Sequence, residues 1–104
     1  MVRVTGFYFW RDGATFDHDY YAGPHMALTR EQLAPYGLCR LESDRVLGAQ
    51  PKAGDLIAAS HAYFESAAAA QAPLAAVGKI LLADVPKYTT LAPQMVIAAV
   101  TSHA

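Results

Sequence analysis

Asp17, Tyr21 and His25 stand four residues apart in the run from Phe16 to Leu28. On an α-helix that spacing puts a carboxylate, a phenol and an imidazole on one face, with Leu28 continuing the stripe. An imidazole with an unperturbed pKa of roughly 6.5 accepts or gives a proton near neutrality. The phenol one turn earlier would orient it or stabilise a developing oxyanion, and the aspartate would align the pair. Such a set suits enolisation, isomerisation or ring-closing condensation. It also suits deprotonation of a phenolic compound whose carbanion then reacts directly with oxygen. The same residues have a plainer reading: Asp17 as a helix cap, Tyr21 as an amphipathic packing residue, and His25 bonded to a backbone carbonyl at a helix end.

The other reactive side chains carry less. His61 shares a strand face with Tyr63, where a histidine is expected to hydrogen-bond across a subunit contact rather than catalyse. His18 sits beside a polar turn and His103 in the C-terminal tail, both expected to be solvated. Cys39 has no neighbouring His or Lys to lower its pKa and reads as a buried thiol. No His, Cys and carboxylate set has the spacing of a zinc or non-haem iron site, and no glycine loop is built to hold a phosphate. The expected cofactor and metal complement is none. Asp84-Val85-Pro86-Lys87-Tyr88 reads either as a fixed turn laying Tyr88 over a pocket mouth or simply as a helix stop.

A chain of 104 residues makes one domain, spanning 1–104. Charged residues are only 16% of it and apolar ones 54%, more apolar surface than a soluble monomer easily carries, so part should be covered by another subunit. Eight Lys and Arg against nine Asp and Glu leave a net charge of −1. With no basic block, nucleic acid is a poor partner. The single cysteine allows no intrachain disulfide, and Met1 to Thr5 lacks the pattern of a secretory leader. Ala67 to Val85 is apolar but interrupted by Gln71, Pro73, Gly78, Lys79 and Asp84, which argues against a bilayer span. A cytoplasmic location, without membrane contact, is the expectation.

The elements that must position these groups alternate. Val2 to Trp10 reads as a strand, ending at Arg11-Asp12-Gly13. A helix from about Phe16 should kink or split at Gly23-Pro24, resume through Leu33 and stop at Pro35-Tyr36-Gly37. Leu38 to Leu47 and Leu56 to Phe64 read as strands on either side of a Gly48 to Gly54 loop. Ser66 caps an alanine-rich helix that Pro73 should break in two, and Gln94 to Val100 forms the last strand. The order β-α-β-β-α-β is the ferredoxin-like α+β pattern, a four-stranded antiparallel sheet with helices on one face. Both faces of the first and third strands carry aromatics, so a homodimer through the uncovered sheet face is expected.

Phe16-Asp17, Tyr20-Tyr21, His25-Met26, Leu28, Pro35-Tyr36-Gly37-Leu38, Phe64-Glu65-Ser66 and Ala83-Asp84-Val85-Pro86-Lys87-Tyr88-Thr89 resemble the EthD family. That family is named for a small protein of an ethyl tert-butyl ether degradation system and belongs to the dimeric α+β barrel superfamily. The resemblance covers nearly the whole chain. One departure concerns proline: the family usually has it two residues after its histidine, where this chain has Ala27, whereas here Pro24 precedes His25. The resemblance implies relatives that include cofactor-free monooxygenases, lactone isomerases, polyketide-type cyclases and, in larger chains, haem proteins. It also implies that Phe64 faces the helices, which puts Ala58, Ser60 and Ala62 on that face beside Val4, Gly6, Tyr8 and Trp10. The small residues leave room for a small apolar molecule, and Tyr8, Trp10, Tyr21 and Tyr88 would wall it. Two functions follow as alternatives. One is a cofactor-independent oxidoreductase, isomerase or cyclase with His25 as general acid/base; the other is a non-catalytic auxiliary protein that delivers an apolar metabolite to a partner oxidase.

Overall fold

A computed structural model describes all 104 residues. Its order is β1 (Val2–Phe9), α1 (His18–Tyr20), a wide π-type turn (Tyr21–His25), α2 (Met26–Leu33), β2 (Arg40–Arg45), β3 (Leu56–Phe64), α3 (Ala67–Asp84) and β4 (Gln94–Ala99). The strands form one antiparallel sheet in the order β2-β3-β1-β4. The fold is α+β and ferredoxin-like. β1 and β3 lie at the centre, with Val4 opposite Ala62, Gly6 opposite Ser60 and Tyr8 opposite Ala58. These residues share one face with Phe64 and receive the helices, as alternation along a strand requires. Thr5, Phe7, His61 and Tyr63 alternate onto the uncovered face.

The helices show what two prolines do. Pro24 offers no N–H and its ring would crowd the Tyr20 carbonyl; the chain accommodates it by widening one turn, so helix continues from His18 to Leu33 without a break. Gly37, at φ 82°, closes this stretch in the left-handed conformation that glycine adopts freely. Pro73 does not break α3, which runs for 18 residues from the Ser66 cap, whose Oγ accepts from the Ala69 N–H at 3.1 Å. Only one helical hydrogen bond is forfeited in the second turn, and the fully buried pyrrolidine ring returns packing energy. The stretch Ala67–Lys87 is long and apolar enough to cross a membrane by length and composition, but here Ala70, Pro73, Val77 and Asp84 are buried along α3.

Two further expectations are corrected. The second strand is only six residues long, since Leu38 and Cys39 lie outside it and the chain beyond Arg45 is exposed. Cys39 is exposed rather than buried. Its backbone N–H bonds the Tyr63 carbonyl at 2.8 Å beside the edge strand, while its thiol turns back to the Gly37 carbonyl.

Candidate functional site

Between the sheet and the helices lies a cavity of about 410 Å³. Val4, Gly6 and Tyr8 of β1 and Ser60, Ala62 and Phe64 of β3 form its floor. Thr29 and Leu33 of α2 and Leu74, Gly78, Leu81 and Leu82 of α3 enclose it. Met95 and Ile97 of the edge strand β4 also line it and are half-exposed, as is Leu82, so the cavity opens between α3 and β4. The room arises from what β1 and β3 lack: Gly6 has no side chain, and Ser60 and Ala62 have short ones. Twelve of the eighteen lining residues are hydrophobic, which leaves few polar groups to orient a guest.

His25 lines this cavity and is only 6% exposed. Its Nδ1 lies 2.9 Å from Oδ2 of Asp84, at the end of α3, and its Nε2 lies 3.3 Å from the Tyr88 hydroxyl. The Tyr88 hydroxyl in turn bonds the Tyr8 hydroxyl. Asp84 is buried and saturated: Oδ1 accepts from the Tyr20 hydroxyl at 3.1 Å and lies 3.3 Å from the Lys87 ammonium. Burial by itself would raise the Asp84 carboxyl, but the hydrogen bonds from His25, Tyr20 and Lys87 outweigh it and hold the group below its ordinary range. Burial pushes the Tyr88 and Tyr8 phenols up, so both stay protonated across the physiological range.

The chain builds this arrangement from distant segments. After α3 a tight turn, Val85–Lys87, with Pro86 presetting its backbone, carries Tyr88 back beneath the first helix. The Asp17 N–H bonds the Tyr88 carbonyl at 2.7 Å, Phe16 pairs with Thr89, and the Thr89 hydroxyl donates to the Thr15 carbonyl at 2.7 Å. These bonds pin Asp84 to Thr89 against the start of the helix that bears His25. Within the same helix the Thr29 hydroxyl donates to the His25 carbonyl at 2.8 Å.

The remaining residues singled out from sequence fall as follows. Tyr21 is 2% exposed and stacks on the His25 ring, centroids 5.7 Å apart and planes inclined by 15°. Its hydroxyl has no hydrogen-bond partner, and burial pushes that phenol up. Tyr21 borders a separate small cleft with His18, Asp19, Ser43 and Arg45. Asp17 is the helix cap, its Oδ1 accepting from the Tyr20 N–H at 3.0 Å, and it makes no hydrogen bond with either ring. Tyr8, Ser60 and Phe64 line the cavity. Trp10 lies beyond its wall and packs, half-buried, on the aromatic cluster around Tyr8. Tyr88 is 3% exposed and sits at the deep, polar end of the site rather than over a mouth. His61 finds both partners in its own chain, Thr5 Oγ1 at 2.9 Å and Asp44 Oδ2 at 2.7 Å.

Sequence reasoning missed Asp84 and Tyr20. The turn containing Asp84 was visible as a motif, but a carboxylate 59 residues from its imidazole leaves no spacing to read. No third His, Cys, Asp or Glu joins His25 and Asp84 to make a metal-ligand set.

No protein-family model and no curated protein matches the sequence. Solved structures do. An EthD-like protein from Ralstonia eutropha superposes with a TM-score of 0.84 and 26% identity, over 99% of this chain and 94% of its own. An ethyl tert-butyl ether degradation (EthD) family protein from Bacillus halodurans gives 0.66 and 19%, over 97% and 99%. A dimeric ferredoxin-like protein from an uncultured marine organism gives 0.50 and 14%, over 98% and 100%. The last two bear on fold alone; the first matches in fold, length and sequence together. The likeness in structure is consistent with the EthD resemblance read from the sequence.

Proposed function

We propose that this protein is a small cofactor-independent enzyme acting on an apolar phenolic or enolisable compound, with His25 as its general acid/base. The observation that carries the reading is a buried imidazole at the wall of an apolar cavity, held by an equally buried carboxylate. Asp84 fixes the ring and would stabilise its protonated form, the arrangement a general base requires. Proton abstraction there serves a cofactor-free monooxygenase, an isomerase or a cyclase alike. Asp17, as a cap, stays outside the chemistry; Tyr21 acts by packing on the imidazole.

The working form we propose is a homodimer through the uncovered sheet face. Phe9 and Val96 on that face are 37% and 47% exposed, and Phe7 lies beside them, an apolar band that a second sheet would cover. The dimeric ferredoxin-like neighbour supports an assembly of this kind.

Native mass spectrometry of the purified protein, followed by release of whatever it carries, supplies a compound for kinetics. Turnover of that compound or its analogues should fall at least a hundredfold in His25→Gln, in line with loss of a general base. A variant that binds and turns over as wild type would sink the catalytic role. A wild type that binds tightly without turnover would instead favour delivery of the ligand to a partner oxidase.

A further inference from the structure

Both ring nitrogens of His25 are already engaged, Nδ1 by Asp84 and Nε2 by the Tyr88 hydroxyl. A carboxylate can only accept, so Nδ1 carries the proton of the neutral ring and Nε2 is its acceptor. Tyr88 must then donate to Nε2, and its oxygen is left to accept from the Tyr8 hydroxyl bonded to it. Tyr88 does not reach the cavity, whereas Tyr8 lines it. Tyr8, a residue of the cavity lining, thus ends a continuous hydrogen-bonded chain, Asp84, His25, Tyr88, Tyr8, and its oxygen keeps lone-pair capacity.

We infer that Tyr8 is the group that meets the ligand, that the ligand presents a phenolic or enolic hydroxyl to it, and that His25 receives the proton at second hand through Tyr88. This rests on His25 being the site's base and adds the path and the ligand class. In the step, the ligand O–H bond breaks and its electron pair stays on the ligand oxygen as phenolate or enolate. That proton bonds to the Tyr8 oxygen, the proton of Tyr8 passes to Tyr88, and the proton of Tyr88 passes to His25 Nε2. The products are a ligand anion and an imidazolium held by the Asp84 carboxylate. Both tyrosines are neutral again, and Tyr8 now donates to the anion it has made. No electrons leave the pair.

A hydroxyl is the fitting acid because each transfer runs along a hydrogen bond, which an O–H forms with Tyr8 and a C–H does not in comparable strength. Burial keeps both phenols protonated and able to pass protons. The charged and titratable groups around the imidazole are Asp84 at the end of α3, Tyr88 after it, and Tyr21 stacked on the ring, with Tyr20 and Lys87 behind Asp84.

The test uses para-nitrophenol, a phenol that titrates near neutrality and reports its own ionisation by colour, with His25 followed by nitrogen NMR. In the wild-type protein the bound probe should be anionic at pH values where it is neutral in water, with His25 protonated in the same complex. Tyr88→Phe and Tyr8→Phe should still bind it but each lose at least tenfold in the ionisation constant of the bound probe. A change confined to packing would leave that titration unmoved. If Tyr88→Phe ionises the probe as wild type does while His25→Gln does not, the relay is wrong and His25 acts directly. If His25→Gln also ionises it as wild type does, the assignment of the base fails too. A wild-type protein that leaves the probe's ionisation where water does overturns the relay outright.

Discussion

Asp84 shows how one residue can set the state of a site from behind it. It accepts from His25 and Tyr20 and is paired with Lys87, all from a buried position. Asp84→Ala would strand the His25 Nδ1–H and the Tyr20 hydroxyl and should cost about 2–3 kcal/mol in chemical denaturation near neutrality. Because the folded carboxyl titrates below its ordinary value of 3.8, its stabilising contribution is complete above that pH. It is lost as pH falls through the lower folded value. The stability gap between variant and wild type should therefore close in strong acid, and a gap that persists there would mean that Asp84 acts by packing alone. His25 was legible as a candidate from residue type and helical spacing, although neither Asp17 nor Tyr21 of that stripe forms a hydrogen bond with its ring. Its partner was not, because a helix of 18 residues and a turn decide where Asp84 arrives.

Among the elements, the sheet supplies the space and Tyr8, while the helices and the turn after α3 bring His25, Asp84 and Tyr88 to it. Gly6 sits on the central strand, and a Cβ built there would meet Met95 Sδ at 3.2 Å and Ser60 Oγ at 3.5 Å. Met95 is half-exposed and flexible, so its thioether can give way. Gly6→Val should therefore fold at least as stably as wild type, helped by the higher strand propensity of valine, while filling the cavity floor. Binding of para-nitrophenol, followed by its absorbance, should weaken about tenfold; unchanged binding would place the ligand elsewhere. Which residues share a strand face was readable in advance from alternation, and which face meets the helices was implied by the EthD resemblance. The course of the helices past Pro24 and Pro73 was not, since a proline's cost is local and the packing that offsets it is tertiary.

At the scale of the whole molecule, the distribution of apolar surface is where the proposed homodimer is tested. The helices cover one sheet face and leave Phe7, Phe9 and Val96 on the other without cover in the monomer. Phe7→Asp would bury two carboxylates in a two-fold contact between sheets, a cost of several kcal/mol per dimer. Native mass spectrometry should then show a monomer with the fold intact by circular dichroism. A dimer that survives the change would move the interface to another surface. Asp44, Glu42, Arg40 and His61 share this face and are bonded among themselves or to Thr5 and Tyr63, so its polar groups are largely satisfied before any partner arrives.

Local chemistry in the chain determined the order of strands and helices, the Ser66 and Asp17 caps, and which residues share a face of each strand. Each follows from periodicity or residue type within a few positions. Only the tertiary structure decided that Tyr88 lies deep rather than at a mouth, that Trp10 stands outside the cavity, and that Cys39 is exposed. It alone brings Asp84, His25, Tyr88 and Tyr8 into one hydrogen-bonded series. The physical reason is that hydrogen bonds between side chains depend on where whole elements pack, and packing is settled by surfaces that meet far from one another along the chain.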